Sequence, residues 1–188
     1  MAEKTSSQRV IMGIDPGTNL LGYGILLVDG RRVHYVDMGV VDMRKMKDPF
    51  AKIGRIYEEV GALMDRYNPD DIAVESPFYG INPQVLLKLG RAQGAAIGAA
   101  VSRGLPVFEY APRKAKMSIT GVGNASKEQV MVMLGKILKI EMDNKYLDAS
   151  DALAIAYCHY NQLTNPLADT SASSSWEKFV AAHPDKVK

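Results

Sequence analysis

MGIDPGTNLLGYGIL, Met12 to Leu26, reads as a buried strand ending on a carboxylate, a tight turn, and a second strand returning beside the first. Apart from Arg9 itself, Arg9 to Ile14 is apolar, as a central strand covered on both faces would be. Asp15 ends that run directly before Pro16-Gly17, a turn-forming pair. An ionised carboxylate at the end of a core strand is unfavourable unless it is paired or bound to a cation. The plainer alternative is a turn residue accepting backbone N–H bonds.

Working outward, Arg9–Asp15, Leu21–Val28 and Arg32–Asp42 read as three successive strands, the last two joined by an Asp29-Gly30 hairpin signal. Pro49 opens a helical pattern through about Tyr67, with Ile53, Ile56, Val60 and Leu63 recurring at helical spacing. Asp71–Glu75 is a short strand that again closes on an acid. A long helix is expected over Asn82–Arg103, with Gly90, Gly94 and Gly98 four apart among alanines. Such a smooth face suits tight packing on the protein's own sheet or, more sharply, contact with a second copy. Leu105–Tyr110 reads as a strand and Pro112 as the start of a brief helix. Ser126-Lys127-Glu128-Gln129 has the form of a capping box, which places a helix to about Leu138. Asp148–Leu163 is the last helix. The order of elements implies an α/β layered domain with a mixed sheet over residues 1–165. Residues 166–188 are rich in Ser, Ala, Asp and Thr and read as a polar, mobile tail.

Composition narrows the classes. Cys158 is the only cysteine, so no internal disulfide forms and a reducing compartment is expected. With one Cys and three scattered His, an ordinary zinc site has no support. The start, MAEKTSSQR, lacks a signal-peptide core, and no apolar run is long enough to span a membrane, so the cytoplasm is the expected address. The net charge of +2 says little, but Val101–Lys139 holds seven basic residues against two acidic ones. That local field suits a polyanion partner or, equally, a solvated helix face.

Four acids stand out. If strands one and four are parallel neighbours, Asp15 and Glu75 emerge at one carboxyl edge, where open α/β sheets bind ligands. Asp148 and Asp151, three apart at a helix start, share a face, although either could simply cap the helix. Four converging acids repel one another, and divalent cations relieve that conflict. An all-oxygen donor set favours Mg²⁺ or Mn²⁺. Two such ions about 3.5–4 Å apart activate a water and stabilise a leaving oxygen, the requirement of phosphodiester hydrolysis.

These residues resemble the RuvC Holliday junction resolvases of bacteria, within the ribonuclease H-like nuclease superfamily. The match runs through GIDPGTNLLGYGIL, the VESPF stretch (Val74–Phe78), KLGRAQGAAIGAAV (Lys88–Val101), FEYAPRKAKMSITGVGNASKEQV (Phe108–Val130) and LDASDALAIAYCH (Leu147–His159). The resemblance implies a mixed five-stranded sheet, three antiparallel strands then two parallel, flanked by helices. It implies that Asp15, Glu75, Asp148 and Asp151 bind Mg²⁺, two ions per active site, with Mn²⁺ able to substitute. Phe78 becomes the aromatic that stacks at the junction, with an inward-packing loop residue as its alternative. Lys116 and Lys127 match the active-site lysines that hold the scissile phosphate, and Arg113 and Lys114 touch backbone phosphates. The implied partners are four-way junction DNA, a second copy of the chain, and a RuvA–RuvB branch-migration complex. Pro77 and Tyr79–Pro83 depart from the expected loop. Two other readings compete: a non-catalytic nucleic-acid-binding module of the same fold, and an actin-like ATPase-type phosphotransferase, for which Gly13 to Thr18 resembles one phosphate loop.

Overall fold

The computed structural model describes residues 8–77, 82–142 and 147–164. Ten elements follow in chain order: β1 (Gln8–Asp15), β2 (Leu20–Asp29), β3 (Arg32–Asp42), α1 (Pro49–Tyr67), β4 (Asp71–Glu75), α2 (Pro83–Val101), β5 (Val107–Tyr110), α3 (Pro112–Thr120), α4 (Lys127–Leu138) and α5 (Leu147–Thr164). The sheet order is β3-β2-β1-β4-β5, antiparallel across β3, β2 and β1 and parallel from β1 through β4 to β5. This is the mixed five-stranded sheet expected from the sequence.

β1 lies at the centre because both its faces are apolar. Val10, Met12 and Ile14 pack with Ile72 and Val74 beneath α1 and α2. Ile11 belongs to the opposite cluster, with Ala73 and the apolar sides of α3, α4 and α5. The period-two alternation of a strand therefore aims Gly13 and Asp15, like Ile11, at the α5 side.

What lets α5 lie so close is the lack of side chains beneath it. Gly13 and Gly24 are direct cross-strand partners. A Cβ on Gly13 would fall 2.1 Å from the Ala152 carbonyl oxygen, and one on Gly24 would fall 2.6 Å from the Leu153 Cα. Gly22 is similarly tight, 2.4 Å from the Asp148 carbonyl oxygen. Backbone meets backbone here, so no rotamer change could make room.

Local differences from the sequence reading have simple causes. α2 is expected from Asn82 to Arg103 but runs from Pro83 to Val101. Asn82 is the cap, its side chain accepting from the Gln84 N–H, and the helix unwinds through a turn ending at Gly104, whose φ is +71°. β5 begins at Val107 rather than Leu105, although the Pro106 carbonyl still accepts from the Ile72 N–H. Gly90 and Gly94 do not pack on the sheet; open space surrounds them. The tail after Asn165 lies outside the described residues.

Overpacking under α5 is expected to destabilise by about 1–3 kcal/mol, so Gly24→Ala should lower the urea midpoint without changing the slope. Gly54→Ala, on an exposed turn of α1 with nothing within 4 Å, should instead raise it. Equal behaviour of the two variants would refute the close-approach account.

Candidate active site

Asp15 ends β1, and Glu75 ends β4, its parallel neighbour. Glu75 is two residues beyond Ala73, which packs on the α5 side, so both carboxylates project toward that helix. α5 brings Asp148 and Asp151 in its first turns. At this carboxyl edge is a cleft of about 380 Å³ whose walls include Asp15, Glu75, Asp151, Lys116 and Lys127. Gly17, Ser76, Pro77 and Leu89 complete much of its lining.

The two lysines arrive from the other helices. Lys127 is the first residue of α4, fixed by the expected capping box: the Ser126 hydroxyl accepts from the Gln129 N–H and the Gln129 side chain accepts from the Ser126 N–H. Its ammonium pairs with Asp151 and sits 3.8 Å from an Asp148 oxygen. Lys116 of α3 donates to the Ala125 carbonyl at 2.9 Å, which ties α3 to the chain just before α4.

Among the described residues no three acid, histidine or cysteine side chains are drawn tightly enough to hold an ion. The acids share a cleft, with a lysine ammonium lodged against two of them. Burial, then repulsion from Asp151, pushes the Asp15 carboxyl up to about 6. Burial, then Asp15 and Asp151, pushes Glu75 up to about 8. Burial also raises Asp151, against the pull of Lys127. For Lys127, burial works downward but the Asp151 pair and the neighbouring acids outweigh it and raise the group. The donors are all oxygens and carry more negative charge than one lysine offsets, so the residues fit hard divalent cations.

Residues 11–159 match the family model described as crossover junction endodeoxyribonuclease RuvC. The chain belongs to the RuvC family. The protein of that name from Cytophaga hutchinsonii is 48% identical over 180 residues, covering 96% of this chain and 88% of the relative. That from Bacteroides fragilis is 46% identical over 183 residues, 96% and 97% of the two chains. Among solved structures, Thermus thermophilus RuvC in complex with a Holliday junction substrate aligns with a TM-score of 0.74 and 34% identity, covering 80% of this chain and 92% of that one.

Arg113 and Lys114, which the RuvC resemblance also picked out, are not among the described residues that line the cleft. Lys114 donates to Gln162 at 3.2 Å and lies over the Tyr110 ring, 5.2 Å from its centre. The Arg113 side chain packs over Gly123. Phe78 lies outside the described residues.

One buried polar feature was not read from the sequence. Asp71, fully buried at the start of β4, pairs with Arg9 and lies 3.3 Å from His159 Nε2. His159 Nδ1 in turn meets the Tyr110 hydroxyl at 2.6 Å, and the imidazole stacks on Phe108. Burial would raise Asp71, but the adjacent His159 imidazole and the hydrogen-bonded Arg9 guanidinium outweigh it and hold the group low. The signal was periodicity: Asp71 and Glu75 share a strand face, and Asp148 and His159 share a helix face.

The raised carboxyls set a pH dependence. Asp15 and Glu75 bind protons more tightly folded than unfolded, so between about pH 4 and 8 the native state holds more protons and stability falls as pH rises. Asp71, shifted the other way, acts below that window. In excess chelator, the melting temperature should fall from about pH 5 to pH 8, and Glu75→Gln should flatten the decline. A divalent cation should raise the melting temperature more at the upper pH, and much less in Glu75→Gln. A chelated wild type that gains stability over this range would contradict the site as described.

Proposed function

We propose that this chain resolves Holliday junctions by paired, metal-assisted phosphodiester hydrolysis, the activity expected of a RuvC-family crossover junction endodeoxyribonuclease. The observation that carries it is the cleft itself, where β1, β4 and α5 deliver three acids and α3 and α4 deliver two lysines. Asp15, Glu75, Asp151 and the adjacent Asp148 would hold Mg²⁺, two ions per site, with Mn²⁺ able to substitute. Bound ions of this type supply Lewis-acid polarisation of a phosphoryl oxygen and a water acidic enough to attack.

The chain's own residues do the rest. Lys127, relieved of its pairing with Asp151, turns its ammonium to the scissile phosphate, and Lys116 faces the same groove. Both neutralise charge that grows on the phosphoryl oxygens in the transition state. Arg113 and Lys114 lie farther out and suit contacts to backbone phosphates, which fix register rather than sequence. Phe78, the residue after Pro77 in sequence, is assigned to the unstacked bases at the branch point.

The protein acts as a homodimer, which sets two clefts against two strands. Leu87, Gly90, Gly94 and Val101 form one outward stripe of α2, with Leu87 57% and Val101 61% exposed. Gly90 and Gly94 leave room for close backbone approach. A RuvA–RuvB branch-migration complex is the assigned partner in the cytoplasm. A non-catalytic module of this fold would not need so repulsive a set of acids, and the family match disfavours a phosphotransferase.

A synthetic four-way junction should be nicked in paired strands with Mg²⁺, linear duplex far less, and neither in excess EDTA. Asp15→Asn should keep junction affinity and lose cleavage by a factor of about 10² or more. Cutting that survives EDTA would refute the reading. Independently, Gly94→Arg should shift the mass measured by light scattering from dimer to monomer and abolish paired nicking.

A further inference from the structure

A second cleft opens beside the first, on the other side of the β1–β2 turn. It has a volume of about 350 Å³, and the N-terminal turns of α1 and the middle of α2 form its walls. Phe50 stands at its rim, 72% exposed, with Ile53 behind it. Lys47, Lys52, Lys88 and Arg91 surround it, and among the described residues no acid lines it.

A single exposed aromatic is ordinary on a protein surface, so Phe50 alone means little. Its setting is less ordinary. Asp48, the nearest acid in sequence, is engaged by capping α1, its carboxylate accepting from the Phe50 N–H at 2.9 Å. Elsewhere Arg44, Arg55 and Arg103 are matched with Asp42, Glu59 and Asp65. Among the described residues Lys47, Lys88 and Arg91 have no such partner, and Lys52 donates only to the Asn19 side chain at 2.7 Å. An aromatic face ringed by unmatched cations is the chemistry that receives a nucleotide, with the base stacked and the backbone phosphates paired.

The two clefts are continuous along the chain. Pro16 and Gly17 wall the catalytic cleft while Thr18 and Asn19 wall this one. On α2, Leu89 faces the first and Lys88 and Arg91 face the second. We propose that this pocket is a second nucleic-acid subsite. It seats an unstacked nucleotide of the junction strand that passes through the catalytic cleft, its base on Phe50 and its flanking phosphates on Lys47, Lys88 and Arg91. This rests on the junction-cleaving function and adds to it a binding site remote from the reacting phosphate.

The test uses the full chain carrying Asp15→Asn, so that binding is read without cleavage, with a fluorescein-labelled four-way junction and a linear duplex of the same sequence. Adding Phe50→Ala should weaken junction binding roughly 5- to 150-fold, the span of one lost base–aromatic stack, and leave linear duplex within about twofold. Phe50→Trp should restore the affinity. Lys47→Ala or Arg91→Ala should each lower the slope of log K against log salt by about one. If the Asp15→Asn protein binds the junction and Phe50→Ala binds it equally well, or weakens junction and duplex alike, this proposal is overturned by itself. If the Asp15→Asn protein does not bind the junction at all, the junction-cleaving function falls with it.

Discussion

The rest of the structure depends on the direct contact of α5 with the floor of the sheet. Helices ordinarily stand off a sheet by the length of their side chains. Here Gly13 and Gly24, paired across β1 and β2, bring helix backbone against strand backbone, and Gly22 extends the same seat. The contact fixes rotation as well as distance, because a helix turns by 100° per residue and only one face of α5 is small enough to fit. That face, Ala152 and Ala156, fully buried, leaves the first turns of α5 over the end of β1. Asp151 therefore shares a cleft with Asp15 as a result of packing at its near neighbours Asp148, Ala152 and Ala156.

The far end of the helix is held differently. His159, wholly enclosed, is joined to Asp71 and Tyr110, while Arg9 reaches in from β1. A buried polar chain of this sort adds little net stability, since desolvation opposes the attraction, but breaking one partner leaves an orphaned charge. Its effect is to reject other registers of α5. Glycines thus set how near the helix comes, and the buried chain sets where along its axis it stops. The cleft acids inherit both constraints without contributing to either; indeed their burial and, after it, their mutual repulsion push Asp15 and Glu75 upward and oppose the folded state. Lys127 offsets only part of it, and a site left with surplus negative charge is one ready for cations.

This division explains what could be read from the chain in advance. The elements were legible because their signals are local: apolar runs, Asp29-Gly30, Pro49, and the Ser126–Gln129 capping box. Asp15 and Glu75 were legible because each closes an apolar strand; Asp15 could also be read as a turn residue, whereas Glu75 had no such local alternative. The seat of α5 was not legible. A glycine in a strand can mean a bulge, a turn or a close approach, and only the position of Ala152 over Gly13 distinguishes them. Asp71 and His159 went unread for a related reason. Asp71 opens the strand that Glu75 closes, and nothing near it in sequence shows that His159 and Arg9 close around it. Gly90 and Gly94 allowed packing on the sheet or an outward face, and only the observed rotation of α2, with Ala92 and Ala96 inward, decides for the second.

That rotation has a consequence for how the separate surfaces are combined. Within one turn of α2, Lys88 turns to the Phe50 pocket, Leu89 to the catalytic cleft and Gly90 to open solvent, while Ala92 enters the core. Four environments on one turn is about the limit of what a 3.6-residue period allows. Alanine and glycine make it possible, since larger side chains at 90, 92, 94 and 96 would thicken the helix and push the surfaces apart. In the proposed homodimer, contact of the outward stripe with a second copy would fix the spacing of two catalytic clefts through a single helix in each chain. The strands that reach those clefts would then be registered by the same helix that joins the protomers, and a shift of α2 would alter recognition, assembly and cleavage together.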